Sequence, residues 1–405
     1  MNVVFLTLAY PENEEDSNIY TDLMSEFIKN GHSVKVLCQQ ERRQKKLTRW
    51  TEHRGIPVLR IRTGNITKTN IVEKAFSTLQ IERLFIKAIQ KYLNKETIDL
   101  IIYSTPPITF ASVVKMVKLQ YGAKSYLLLK DIFPQNAIDL GLIKSHGLIN
   151  MYFKRKEKKL YNLSDTIGCM SQGNIEFILT HNAYITSQKV ELNPNSIIPS
   201  DNELAFNKEK LRQKLGIPED AVIFIYGGNL GKPQGVDFLI ETLQVFRDNP
   251  DLYLLIVGNG TEYTKIVNHL KLFRYQNVIL ESYLPKKEYD ELVEMSDIGM
   301  IYLDERFTIP NIPSRLLSYM DKSKAVFAIT DSNTDLKKII YDANCGYYSL
   351  AGDLEEFKNV IQQIQNCKDD LLVKGINGRK YLEDNFHVKN SYNIIMKHFK
   401  GCKQR

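Results

Sequence analysis

Residues 222–240, VIFIYGGNLGKPQGVDFLI, join an unbroken apolar run to a glycine-rich turn and then to a helical pattern. The run at 222–226 is β-branched and aromatic, as in a strand buried on both faces of a parallel sheet. Gly227, Gly228 and Gly231 strip side chains from the turn, so a ligand can approach the backbone. Val236, Leu239, Ile240 and Leu243 then recur at helical spacing. A helix start facing such a turn offers free N–H groups and the positive end of a dipole, a setting suited to phosphate or pyrophosphate. The pattern is neither the dinucleotide fingerprint nor the P-loop, and a turn that only packs a helix on a sheet reads the same way.

The alternation of short apolar runs with helical stretches extends in both directions. Upstream, strands are expected at 2–9, 34–38, 59–61, 100–104, 125–129, 166–171 and 190–192, with helices at 19–29, 71–93, 110–120, 150–163 and 173–179. Downstream, strands are expected at 252–257, 278–280, 298–303 and 325–329, with helices at 288–295, 313–320, 354–365 and 371–398. Pro194, Pro199 and Pro218 punctuate a polar stretch between the two series. We therefore expect an α/β protein of two doubly wound parallel sheets: a domain at 1–195 and a domain at 196–383, with a helix at about 384–400 packing back on the first. In such folds ligands bind at the carboxyl ends of the strands, here in a cleft between the facing sheets.

A chain of 405 residues exceeds one ordinary core, in keeping with two domains. No apolar run approaches the roughly 18 to 20 residues that span a bilayer. The run at 3–10 has no basic residue before it and reads as a first strand, not a signal peptide, which points to the cytosol. Cys38, Cys169, Cys345, Cys367 and Cys402 are widely spread with no CxxC pair, which fits reduced thiols and argues against a zinc site or a disulfide framework. Charge is uneven. Residues 1–195 hold 27 Lys+Arg against 18 Asp+Glu, or +9, whereas the remainder holds 27 against 29, or −2. The basic half is the one suited to an anionic partner. Its cations gather in ERRQKKLTRW at 41–50 and in GLINMYFKRKEKKLY at 147–161, where apolar and basic residues are interleaved. No nucleic acid is expected as a partner.

The order of motifs resembles the GT-B glycosyltransferases of family 4, retaining enzymes that use nucleotide sugars. The resemblance is carried by NGHSVKVL at 30–37, LKDIFPQN at 129–136, LSDTIGCMSQG at 163–173, Asn195, YGGNLGKPQGVDFLI at 226–240, LLIVGNG at 254–260, VEMSDIGMIYL at 293–303 and NIPSRLLSYM at 311–320. The ordered series is specific although no single piece is. It is most similar to the N-acetylfucosaminyltransferases of O-antigen and capsule assembly. That resemblance implies a UDP-sugar donor with N-acetyl-L-fucosamine as a candidate sugar, and a polyprenyl-pyrophosphate-linked saccharide acceptor. It further implies a cytoplasmic protein lying peripherally on the inner face of the membrane through its basic N-terminal domain. There are departures. The family's two glutamates fall where this chain has Pro310 and Ser318, and its paired glycines after the first strand fall near Asp16-Ser17-Asn18.

Opening a glycosidic bond to a nucleoside diphosphate needs the leaving pyrophosphate stabilised, which cations and backbone N–H groups achieve without a metal. No DxD motif sits at a strand end, so neither metal nor other cofactor is expected. Lys232 and Arg315 are the candidate clamps, and Ser314 with a helix beginning near Pro313 is a third anion-binding element. Gly228, Asn229, Gln234, Gly258 and Ser318 complete the candidate donor-nucleotide site. Asp131, delivered with Lys130 at a strand end, can orient or deprotonate an acceptor hydroxyl. Asn18 and Tyr20 are further acceptor-side candidates, and Glu305 is a candidate replacement for the first missing glutamate. Two rival readings stay open: a sugar-nucleotide epimerase, and a non-catalytic partner that only scaffolds an assembly complex.

Overall fold

A computed structural model describes residues 1–67, 69–201 and 206–399, apart from the side chains at 71, 72 and 75. Cys402, and position 400 of the helix expected over 384–400, lie outside the described residues. The chain divides into two compact units, Met1–Ile197 with the segment from Val388 onward, and Ile198–His387.

Among the described residues the first unit is built on eight strands: β1 Asn2–Thr7, β2 Ser33–Glu41, β3 Arg49–His53, β4 Ile56–Thr63, β5 Leu100–Ser104, β6 Lys124–Leu129, β7 Thr166–Cys169 and β8 Val190–Leu192. They lie in the order β3-β4-β2-β1-β5-β6-β7-β8. Every pairing is parallel except β3 with β4. Both faces of the central strands are buried, which is why their sequences are near-continuous apolar runs. Val3, Phe5, Val36, Leu100, Ile102 and Leu128 meet Leu23, Met24 and Phe27 of the helix Ile19–Lys29. The helix Val388–Met396 closes the same core with Val388 and Ile395, both fully buried. Tyr392 packs edge-on against Phe27 at 5.0 Å, and Ser391 Oγ donates to Asn193 Oδ1 at 2.7 Å.

The basic tract 41–50 is partly strand. β2 runs on to Glu41, and Arg49–His53 forms an antiparallel edge strand whose Trp50 lies opposite Leu59. Edge strands tolerate charges that break the alternating pattern, and Arg49 and Glu52 hid this one. Arg60 of β4, itself buried, donates to the carbonyls of Tyr10 and Pro11 and to Thr51 Oγ1, fastening the loop after β1 onto that edge.

Among the described residues the second unit has six strands, all parallel: β9 Val222–Gly227, β10 Leu252–Val257, β11 Val278–Glu281, β12 Ile298–Tyr302, β13 Ala325–Thr330 and β14 Gly346–Leu350. Their order is β11-β10-β9-β12-β13-β14. The chain winds outward from β9 to β11 and then returns to β12 on the other side of β9. The carboxyl ends of β9 and β12 are therefore the switch point where a doubly wound sheet leaves a crevice. Two turns meet beside it. Gly228 N–H donates to Val257 O at 2.9 Å, Leu230 N–H donates to Asn259 O at 3.0 Å, and Glu262 N–H donates back to Leu230 O at 2.9 Å. A Cβ on Gly258 would lie 1.9 Å from the Gly228 carbonyl oxygen. Gly258→Ala should therefore keep its secondary structure but lose about 1–3 kcal/mol, the usual scale of a forced overlap, read as a lower urea midpoint.

Candidate active site

At the end of β9 the backbone leaves the sheet through Gly228, whose φ of +136° suits glycine. Pro233 starts a short 3₁₀ turn, Lys232–Gln234, and Gly235 at φ +55° leads into the helix Val236–Arg247. The helix does not open directly on the glycines as expected, because this turn intervenes. Gln234 closes the turn: its Oε1 accepts from Asn229 Nδ2 at 2.8 Å and from Gly231 N–H at 3.3 Å. Asn229 and Gln234 thus shape the loop with their side chains. Among the described residues no acceptor meets the Asn229 N–H, and Gly228 and Asn229 are both exposed.

Arg315 opens the helix Arg315–Asp321, two residues later than the start expected at Pro313. Ser314 occupies the cap position with its hydroxyl unused in capping, and Ser318 is half-buried one turn on. The Arg315 guanidinium carbon stands 4.6 Å from the centre of the Tyr226 ring, and a Cβ on Gly228 would fall 2.9 Å from its Nη2. Its Nη1 is buried and meets no hydrogen-bond partner among the described residues. Arg306 is a contrast, because both ends of its guanidinium are taken by Asp304 at 2.7 and 2.8 Å. Lys232 is exposed, and its ammonium makes no ion pair among the described residues. Glu305 turns its carboxylate toward Gly352, where a Cβ would lie 2.1 Å from Oε2, and Pro310 is buried. The structure thus gathers Gly228, Asn229, Gln234, Gly258 and Arg315 around the end of β9.

In the first unit the carboxyl ends of β1, β5 and β6 collect a second set. Asp131 follows β6, and its two oxygens accept from Asn136 Nδ2 at 2.7 and 2.8 Å. Its N–H and that of Lys130 donate to Thr105 Oγ1 at 3.2 and 3.1 Å, pinning the turn to the end of β5. Burial pushes the Asp131 carboxyl up to about 6, against the opposing pull of the Ile132 N–H and Asn136. Burial raises the Tyr20 phenol as well, a Ser104 hydrogen bond opposes the rise, and the charge of Asp131 adds to it. Asn18 proves to be a helix cap: its Oδ1 accepts from the N–H groups of Tyr20 and Thr21, leaving only Nδ2 for a ligand. Lys130, named from the sequence only as the neighbour of Asp131, is held down to about 7 by burial, with Cys169 pulling the other way, and its Nζ donates to Asn193 O at 3.4 Å.

Residues 207–381 match the family model of glycosyl transferases group 1. The chain is similar to a probable glycosyltransferase, WbjE, of Pseudomonas aeruginosa, 22% identical over 331 residues that span 80% of this chain and 78% of that one. It is also similar to the O-antigen biosynthesis glycosyltransferase WclY of Escherichia coli, 24% identical over 222 residues, 52% and 54% of the two chains. Among solved structures, sucrose-phosphate synthase from Thermosynechococcus elongatus superposes with a TM-score of 0.76 at 14% identity, covering 99% and 98%. Anabaena HepE in complex with UDP-glucose gives 0.71 at 15% identity, covering 99% of both chains. The two parallel-sheet units are those of the GT-B fold. The match at 207–381 lies in the second unit, and the chain is a glycosyltransferase.

The carboxyl of Asp131 is more easily protonated in the folded chain than in the unfolded one, whose value is near 3.8. Its contribution to stability is full below that value and lost as pH rises through about 6. Between pH 4 and 7 the wild-type urea midpoint should fall relative to that of Asp131→Asn. The difference should reach about 1–2 kcal/mol, because the partial exposure of the group discounts the roughly 3 kcal/mol of a fully buried one.

Proposed function

We propose that the chain transfers a sugar with retention from a UDP-sugar to a lipid-linked saccharide in the assembly of a surface polysaccharide such as O-antigen, capsule or colanic acid. The observation that carries this reading is Arg315, a cation with an orphaned buried N–H, no carboxylate partner among the described residues, and bare backbone at Gly228 beside it. A diphosphate supplies the missing acceptor and the missing negative charge together. Assembly of surface polysaccharide is the setting named for two relatives, WclY and the putative colanic acid glycosyltransferase WcaI of Escherichia coli, 22% identical over 249 residues. The sugar suggested by the motif series is N-acetyl-L-fucosamine.

In this reading the bond from the anomeric carbon to the phosphate oxygen breaks while the acceptor oxygen bonds to the same face. The hydroxyl proton passes to the departing phosphate. Arg315, Lys232 and the Asn229 N–H stabilise that phosphate, with no metal required. Asp131 orients the acceptor hydroxyl as a hydrogen-bond acceptor once it is ionised above about pH 6. Arg315→Ala should lower transfer by about 10²-fold or more with the fold retained. Lys232→Ala should cost about tenfold, since an exposed charge is screened by water. A chelator should leave the wild-type rate unchanged. A wild-type rate in Arg315→Ala, with donor and acceptor at saturation, overturns the assignment.

A lipid-linked acceptor also requires contact with a membrane, and no helix among the described residues is long and apolar enough to cross one. We assign the contact to the start of the helix Leu148–Leu163, where Leu148 and Ile149 are 81% and 64% exposed and Met151 and Tyr152 are exposed beside them. Arg155, Lys158 and Lys159 are exposed on the following turns, whereas Lys156 is occupied by Glu82 at 2.9 Å. Each basic residue near an anionic surface contributes roughly 1 kcal/mol, and apolar side chains settle at the headgroup boundary. The protein should float with phosphatidylglycerol vesicles at low salt and be released as salt rises. Charge reversal at Arg155, Lys158 and Lys159 should weaken binding at least tenfold, and absence of binding at low salt refutes the surface.

A further inference from the structure

Arg315 poses a problem of its own. A guanidinium taken out of water is normally held by a carboxylate, which neutralises the charge; Asp304 does this even for Arg306, whose side chain is half exposed. The neighbours of Arg315 are phenols. Tyr226 presents its ring face at 4.6 Å, and its hydroxyl, donating to Asn229 O at 2.7 Å, fixes the plane of that ring. Tyr319 lies behind the turn, its Oη accepting from Gly227 N–H at 3.2 Å, and it packs so closely on Gly299 that a Cβ there would be 2.2 Å from the ring. Tyr289 fills the remaining side, with its hydroxyl where a Cβ on Gly227 would be. A ring face attracts a cation through its quadrupole and leaves the net charge in place.

We propose that Tyr226 is the positioning residue of the donor site: its ring holds the Arg315 guanidinium flat against Gly228 as an uncompensated cation, so that the pyrophosphate of the donor becomes its first counter-ion. The inference rests on the reading of Arg315 as the pyrophosphate clamp. It assigns to an aromatic face the work that a carboxylate does for Arg306, and it accounts for two glycines. At Gly227 a side chain would displace Tyr289, and at Gly228 one would displace the guanidinium. An arginine suits the arrangement better than a lysine, because a planar guanidinium stacks on a ring and still points its N–H groups outward.

The test uses inorganic pyrophosphate and the full-length chain, with affinity read by calorimetry and folding by circular dichroism. Tyr226→Phe keeps the ring and should stay within about threefold of wild type. Tyr226→Met keeps the bulk without a π face and should lose about tenfold in affinity, the scale of a desolvated cation–π contact. Arg315→Lys keeps the charge without the plane and should lose a similar factor. If Tyr226→Met folds and binds like wild type, the positioning role is wrong even though Arg315→Ala abolishes binding. If Tyr226→Met does not fold, Arg315→Lys decides: wild-type affinity overturns the proposal and a tenfold loss supports it. Wild-type pyrophosphate affinity in Arg315→Ala overturns the clamp itself, and with it the role of Tyr226.

Discussion

A positive charge that no carboxylate among the described residues neutralises governs the arrangement of the second unit. Keeping Arg315 at the end of β9 requires the backbone to pass close beside it, which demands glycine at 228. The next turn must also lie against that backbone, which demands glycine at 258. The strand order puts both turns at the point where the sheet reverses its winding, so the Asn229 N–H and the cation share one crevice. The rest of the unit, including its wide apolar core, holds these turns in register.

Most of the architecture could be read from the sequence because buried parallel strands announce themselves. The runs at 100–104, 190–192 and 252–257 coincide with β5, β8 and β10, and the helix at 19–29 coincides with Ile19–Lys29. Elements with one wet face were harder to see. The edge strand Arg49–His53 carries charges on its outer positions, and β14, GYYSL, mixes small and aromatic residues with no clean alternation. Lys232, Arg315 and Asp131 could be named as chemistry-bearing residues from their types and neighbours. Their states could not. Nothing in the string of letters distinguishes Arg306, quenched by Asp304, from Arg315, or shows that Asn18 is engaged at a helix end. The ring beneath Arg315 comes from Tyr226, 89 positions earlier (315 − 226), and only the pairing of β9 with β12 brings the two together.

The strand end in the first unit shows burial acting on two adjacent residues in opposite senses. Lys130 and Asp131 follow β6 consecutively, and desolvation disfavours the charged form of each, so the lysine is drawn down toward neutrality and the carboxyl up toward it. The result is a pair whose charges both change within reach of neutral pH. Neither residue type does so in water. Thr105, with one hydroxyl serving both backbone N–H groups, keeps the pair at a fixed place at the carboxyl end of the sheet.

The segment from Val388 onward has a consequence for how the protein is made. Val388 and Ile395 complete the core of the first unit, and Ser391 satisfies Asn193, so that core stays open until the 190 residues of Ile198–His387 have been synthesised. At about 5–20 residues per second this leaves Phe27, Met24 and the adjoining face of the sheet uncovered for roughly 10 to 40 s. The second unit, continuous in sequence, has no such wait. The half that emerges first is therefore the last to close, and during that interval its apolar face is the part of the nascent chain most in need of a chaperone.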